Sequence, residues 1–409
     1  MNDLPFGFTP NEGQPFDMNS LGEMLQQIGQ MMQRAQNDTS ENGVSWGTIH
    51  DSARQAISAA GDPSITDNQT KSVTDAVALA QVWLDGVTSY PASSTESLAW
   101  SRSEWLEATL PAWRPLIEPV AAGLSRTVTQ ISSEAQSPQE LEQLPPEMKA
   151  MLEPMLNMAS KMAAVSTGMQ VGQGLAALST ELLSSSEIAV PLSPDFVPAL
   201  LPERIKSFAD ENHIPLNDAF VFIAVREAAI QRLFAANPWL RAEVADAVSS
   251  YARGISIDQD RIREVMSSID PQDPASMQEV MSSGVFQPAT TEDQQRALNR
   301  MELMLSLIEG WVNAVTIAAV GNRLGAMTQL IETMNRRRVS GGPAEKTFAN
   351  LVGLEISARV VRAAAAFWDM LGTSRGNFNR DNVWAHPDFL PSRDDLDDPQ
   401  GFISRMIEE

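Results

Sequence analysis

The chain has 409 residues and a hydrophobic fraction of 43%, which allows one large two-lobed unit or two domains of ordinary size. A formal net charge of -23 argues against nucleic-acid and anionic-membrane partners, since a phosphate-binding surface needs clustered Lys and Arg. The chain has no cysteine, so it can form no disulfide framework and offers no thiolate ligand or nucleophile.

The stretch Met1-Asn2-Asp3-Leu4-Pro5 has neither a basic nor an apolar signal region, and no run of about 18 uninterrupted apolar residues follows it, so a cytoplasmic location is expected. Residues 1 to about 17 are rich in Pro, Gly, Asn and Phe without periodicity and read as an irregular lead. Leu21, Met24, Leu25, Ile28, Met31 and Met32 then recur at three- and four-residue spacing, which predicts an amphipathic helix docked on the body of the chain or on a partner. Asn37 to Gly43 reads as a linker.

From Ser45 to about Ser186 the pattern is helix after helix, punctuated at Asp62-Pro63, Tyr90-Pro91, Ser137-Pro138 and Pro145-Pro146. Trp100, Trp105 and Trp113 are expected in the core, and Gly168, Gly172 and Gly174 are placed to let two helices approach closely. Gly172-Gln173-Gly174 is no nucleotide loop, because no strand precedes it and the third glycine is missing. Ile188-Ala189-Val190-Pro191-Leu192 is the best strand candidate, with Leu354-Glu355-Ile356 a weaker second. Helices resume from Pro202, with a variable loop expected from Pro271 to Thr291.

Phe220 to Val225 is apolar on every face, which predicts a buried central helix capped by Asn217 or Asp218 and ended at Pro238. Within it, Arg226 and Ile230 stand four residues apart and share a face, while Glu227 is offset by one. This is the layout of an H-E-x-x-H helix, in which two histidines hold zinc and the glutamate polarises the attacking water. Here Arg226 and Ile230 stand at the histidine positions; Ile230 has no donor atom, and Arg226 stays protonated. On a second helix Glu309 falls among Leu305, Ile308, Val312 and Val315, so burial there demands a cation. The planar fork of Arg226 matches that need, and the two are expected to meet. His50, His213 and His386 lack i+4 partners, and no Ser-His-Asp order can be assigned. Arg336-Arg337-Arg338 reads as charge at a helix C-terminus, with a grip on an acidic partner as the alternative.

Several segments together resemble the actinobacterial zincin-like (type 2 zincin) proteins catalogued as candidate hydrolases or zinc-dependent metalloproteases. These are Leu4 to Phe8, Ala99 to Trp105, Arg226 to Arg241, Ile308 to Trp311, Gly341 to Glu345, Trp384 to Asp388 and Asp395 to Pro399. The resemblance implies a mainly α fold with a small β-sheet (α+β): a helical lobe over residues 44–200 and a zincin-like lobe over 201–409, after an irregular tail, helix and linker over 1–43. It also implies that Glu227 is a vestigial general base, that Arg226, Ile230 and Glu309 mark degenerate ligand positions, and that the zinc expected in the family is lost. The leading expectation is a pseudopeptidase that binds an unknown protein or peptide partner. The alternatives are an active metal-dependent hydrolase using Glu227, Glu309 and a distant histidine, and a helical interaction module built on the Met-rich half.

Overall fold

A computed structural model describes residues 44–134, 164–187, 189–190, 192–254, 291–339 and 358–408. The expected N-terminal lead, the Leu21–Met32 stripe, the two later proline breaks, the loop from 271 to 290, and the segments at 341–345 and 354–356 lie outside the described residues.

Asp62-Pro63 and Tyr90-Pro91 interrupt the chain as expected. α1 (Trp46–Ala59) is capped by Ser45, whose hydroxyl accepts from the Thr48 amide at 3.2 Å. α2 (Asp67–Leu84) opens on a reciprocal capping box of Thr66 and Gln69. After β1 (Leu98–Ala99), α3 runs from Arg102–Glu134 with Pro111, Pro115 and Pro119 inside it. Their four-residue spacing puts all three on one face, and each withholds the N–H that the carbonyl four residues earlier would accept. Burial of Trp105, Trp113 and Leu116 along the helix offsets those lost bonds. Residues 164–179 form α4, and the close approach expected of its glycines is made against α1, where a Cβ on Gly172 would stand 2.6 Å from the Ile49 carbonyl oxygen.

The small sheet exists, but away from the expected strand. The described residues among Ile188 to Leu192 are bends and coil, and β2 is Ala199–Leu200, paired in parallel with β1 through Leu98 to Ala199 and Ala99 to Leu200. A pair of two-residue strands shows no alternation for the sequence to announce, whereas Ala189, Val190 and Leu192 are buried without strand backbone. Ser184 bridges Leu200 in the antiparallel sense, so the segment from 184 to 200 closes back on itself.

α5 (Pro202–Glu211) leads into α6 (Leu216–Ala236), buried on nearly all its faces. The cap expected from Asn217 or Asp218 is not used: α6 begins at Leu216, Pro215 stands at the cap without a side-chain bond, and Asp218 instead accepts from the Ala326 amide at 2.9 Å. Pro215 supplies an extended turn into the helix, which moves Asn217 and Asp218 inside the first turn. Asn237 closes α6, and Pro238 opens α7 (Trp239–Arg253).

α8 (Glu292–Val320) is long and apolar enough to cross a membrane, yet 78% of that stretch is buried inside the fold. It packs against α6, α7 and α10 (Ala358–Asn382), with α9 (Met327–Val339) lying on α6. Gly310 permits the α8–α10 contact, since a Cβ there would fall 2.6 Å from that of Ala364. The chain then continues through the short α11 (Arg393–Asp397) and α12 (Pro399–Glu408). In the tail motif Trp384 is buried, stacks on Trp368 at 5.1 Å, and its carbonyl accepts from Trp239 Nε1, while Ala385, His386, Pro387 and Asp388 are exposed. One apolar core, running from Val44 to Ile403, continues across the expected division at residue 200.

Candidate functional site

Three of the four singled-out residues lie on α6, and the fourth comes from α8. Arg226, Glu227, Ile230 and Glu309 are all buried. One helical turn separates Arg226 from Ile230, so both face the same way, while Glu227 is turned toward the segment before β2.

Arg226 meets Glu309. One guanidinium nitrogen donates to Glu309 Oε1, and the other donates to Asn313 Oδ1 at 2.6 Å, so α6 and α8 are joined by a fork that spans one turn of α8. Glu227 faces a different set of groups. Its Oε1 accepts from the hydroxyls of Ser185 and Ser186, from Gln231 Nε2 at 2.8 Å and from the Ala199 amide at 3.4 Å, while Oε2 accepts from the Ser186 amide at 3.2 Å. Complete burial pushes the Glu227 carboxyl above its usual range, against the pull of the hydrogen bonds from Ser185, Gln231, Ser184 and Ala199.

That direction has a consequence for stability. A carboxyl whose pKa is raised on folding binds its proton more tightly in the native state, so stability is fullest below the ordinary carboxylate range and falls as pH rises toward the raised value. Because Oε1 takes most of the donors, a glutamine keeps most of these bonds without the charge. Glu227→Gln is therefore expected to flatten the decline in unfolding free energy above about pH 4.5, measured by urea titration across pH. An unchanged slope in the variant would assign the decline to other groups.

A narrow cleft of about 10 Å³, room for about one water molecule, lies beside this face, lined by Leu183, Ser184, Glu187, Ile223, Ile230 and Met334 along with Arg226 and Glu227. Beyond Met334 lies a larger groove of about 130 Å³, to which Asn313, Thr316, Asn335 and Arg362 contribute polar groups.

Zinc needs three or four nitrogen, oxygen or sulfur donors around one point. At this place Arg226 brings a positive charge and no lone pair, Ile230 brings no donor, and Glu309 is held by Arg226. Among the described residues no three His, Cys, Asp or Glu side chains cluster closely enough to hold a metal ion. The residues do not fit zinc, and the set of Glu227, Glu309 and a distant histidine is not brought together. His50 is engaged by Glu107 at 2.8 Å and Asp51 at 3.2 Å, and His386 lies against Asp388 at 3.4 Å. His213 sits in a turn with left-handed backbone, φ 54°. Arg337 is satisfied within the chain, donating to the Glu181 carbonyl and to Glu187 at 3.0 Å.

Two polar centres were missed by sequence reasoning. Arg232, five residues beyond Glu227, is fully buried and donates to Gln81, the Tyr90 carbonyl and Asp85, fastening α6 to α2. Asp381, also fully buried, accepts from Thr88 Oγ1 at 2.7 Å, the Ser89 amide at 2.7 Å, Trp311 Nε1 at 3.0 Å and Arg380 Nε at 2.9 Å. The Arg232 signal was present, as the next charge on a helix already read as buried. Asp381 gave none, because an acid near a helix C-terminus normally faces water.

The sequence profile of a family described as zincin-like metallopeptidase matches residues 44–403. No curated protein matches the chain. Among solved structures, a crystal structure from Chloroflexus aurantiacus, described as a candidate hydrolase with a novel fold, is similar over 90% of this chain and 99% of its own, with a TM-score of 0.57 and 20% identity. At that identity the likeness is one of fold.

Proposed function

Because the chain belongs to the zincin-like metallopeptidase family and carries a buried Arg226–Glu309 pair where the family's motif places metal ligands, we propose that it is a catalytically silent member whose retained role is binding or scaffolding through the cleft beside α6. The observation that carries this reading is the guanidinium itself. A cation already fixed by Glu309 and Asn313 occupies the electrostatic role of the metal and repels a second cation. Glu227, the vestigial general base, is buried and committed to donors from Ser185, Ser186, Gln231 and Ala199. The partner is a protein or peptide segment fitted to the groove around Met334 and Asn313.

The chain as purified is expected to hold no stoichiometric zinc, and to cleave neither casein nor short peptides in a chelator-sensitive way, with or without added zinc. Elemental analysis and a peptidase assay check this. Near-equimolar zinc that survives mild chelation, or chelator-sensitive cleavage, overturns the reading.

A further inference from the structure

The groove between α6, α8, α9 and α10, at about 130 Å³, is close to the roughly 150 Å³ that takes in a benzene ring. Its walls are apolar: Phe222 from α6, Ile331 and Met334 from α9, and Val361 and Ala365 from α10. α8 and α10 run antiparallel, since Trp368 Nε1 donates to the Leu307 carbonyl while Gly310 meets Ala364. One further turn along each helix brings Val361 and Arg362 level with the stretch from Asn313 to Ile317.

The polar groups of the groove stand at two depths. Thr316, 1% exposed, lies at its floor, and its hydroxyl has no hydrogen-bond partner. A helical threonine can satisfy itself on the carbonyl four residues earlier, as Thr109 does on Trp105 at 2.8 Å. Thr316 forgoes that bond, and a buried hydroxyl without a partner is unfavourable unless a ligand supplies one. At the mouth stand Asn335 and Arg362, both exposed, and neither is engaged by another side chain among the described residues. The chain carries 52 acidic side chains against 29 basic ones, so Arg362 is not left unpaired for want of acids. Asn313 is already held by Arg226 and takes no part.

On the reading of this chain as a silent binder of a protein or peptide, on which this inference rests, we propose that the groove captures the C-terminal tyrosine of a polypeptide. The ring enters between Phe222, Met334 and Val361, and its phenol oxygen meets the Thr316 hydroxyl. The terminal carboxylate takes the guanidinium fork of Arg362, with the Asn335 amide beside it. Each group selects against an alternative. A phenylalanine would leave Thr316 unsatisfied, and a tyrosine within a chain would bring no charge to Arg362. Ile317, 45% exposed at the mouth, gives the preceding residue an apolar surface, which favours a chain over a free phenolic acid.

The test is isothermal titration of the full chain with an acetylated tetrapeptide ending in leucine and tyrosine, alongside the same peptide ending in phenylalanine and the same peptide as its C-terminal amide. The tyrosine acid is expected to bind saturably at one site, with the phenylalanine and amide forms each about tenfold weaker. Thr316→Val keeps the side-chain shape and is expected to remove the preference for tyrosine over phenylalanine. Arg362→Gln, at the exposed mouth, leaves the core untouched and is expected to remove the preference for acid over amide, with far-UV circular dichroism checking that both variants stay folded. Absence of saturable binding overturns the proposal, as does either preference surviving its variant. Free N-acetyltyrosine binding as tightly as the peptide overturns the polypeptide as the source of the ligand. Mass spectrometry of the titrated peptide separates this inference from the reading beneath it: chelator-sensitive cleavage overturns the silent reading, whereas an intact peptide that does not bind overturns only the capture of a C-terminal tyrosine.

Discussion

Arg226→Ala is expected to lower the unfolding free energy by about 3 kcal/mol, because it strands the Glu309 carboxylate inside the core. Both side chains are more than nine-tenths buried, so solvent does little to screen the loss. The paired replacement Arg226→Met with Glu309→Leu removes both charges and keeps the volume, and is expected to cost within about 1 kcal/mol of the unaltered chain. Asn313 is shared by the network, so the cycle measures the pair together with its amide. Urea unfolding of the two single variants and the double variant reads the coupling directly. Additive costs would mean that Arg226 and Glu309 are stabilised separately and that α6 and α8 are not joined through them.

Asp381→Ala is expected to be at least as damaging, on the order of 4 kcal/mol, since one carboxylate ends several separate donors. Thr88 and Ser89 come from the loop after α2, Trp311 from α8 and Arg380 from the preceding residue, so the substitution loosens three parts of the core at once. Arg380, itself 3% exposed, would be left as an uncompensated charge, although the Val87 carbonyl still accepts from it. Asp381→Asn, which keeps an acceptor but not the charge, should fall between the alanine variant and the unaltered chain. A loss below about 1 kcal/mol for Asp381→Ala, measured by chemical unfolding, would show that water replaces the carboxylate and that this end of α10 is more open than its contacts indicate.

The Arg226–Glu309 contact was legible because two constraints intersected. Apolar residues on every side of α6 left an arginine nowhere to reach water, and the α8 stripe did the same to an acid. Trp105, Trp113 and Trp384 were legible for the simpler reason that large rings are seldom left outside. The sheet was misplaced because strands as short as Leu98–Ala99 and Ala199–Leu200 carry no period, whereas an apolar run such as that around Val190 imitates one. The α6 cap failed for a local reason: Pro215 had already set the turn, and Asp218 was drawn to the Ala326 amide. Asp381 was illegible because its meaning depends on Thr88 and Ser89, 293 and 292 residues away, and no local pattern reports a partner at that distance.

The buried guanidinium also ties the residues on this face of α6 to each other's identity. A pair of histidines at positions 226 and 230 would need substitutions at both Arg226 and Ile230, taken in some order. Replacing Arg226 first leaves Glu309 without its fixed cation, and replacing Ile230 first sets a polar ring into an apolar contact beside a standing positive charge. Either intermediate loses stability before any metal can repay it, and a folded chain with only a few kcal/mol to spare, roughly 5–15 by general experience, has little room for that detour. The pair thus makes α6 and α8 change together or not at all, so substitutions at Arg226 and Glu309 are expected to be accepted jointly rather than one at a time.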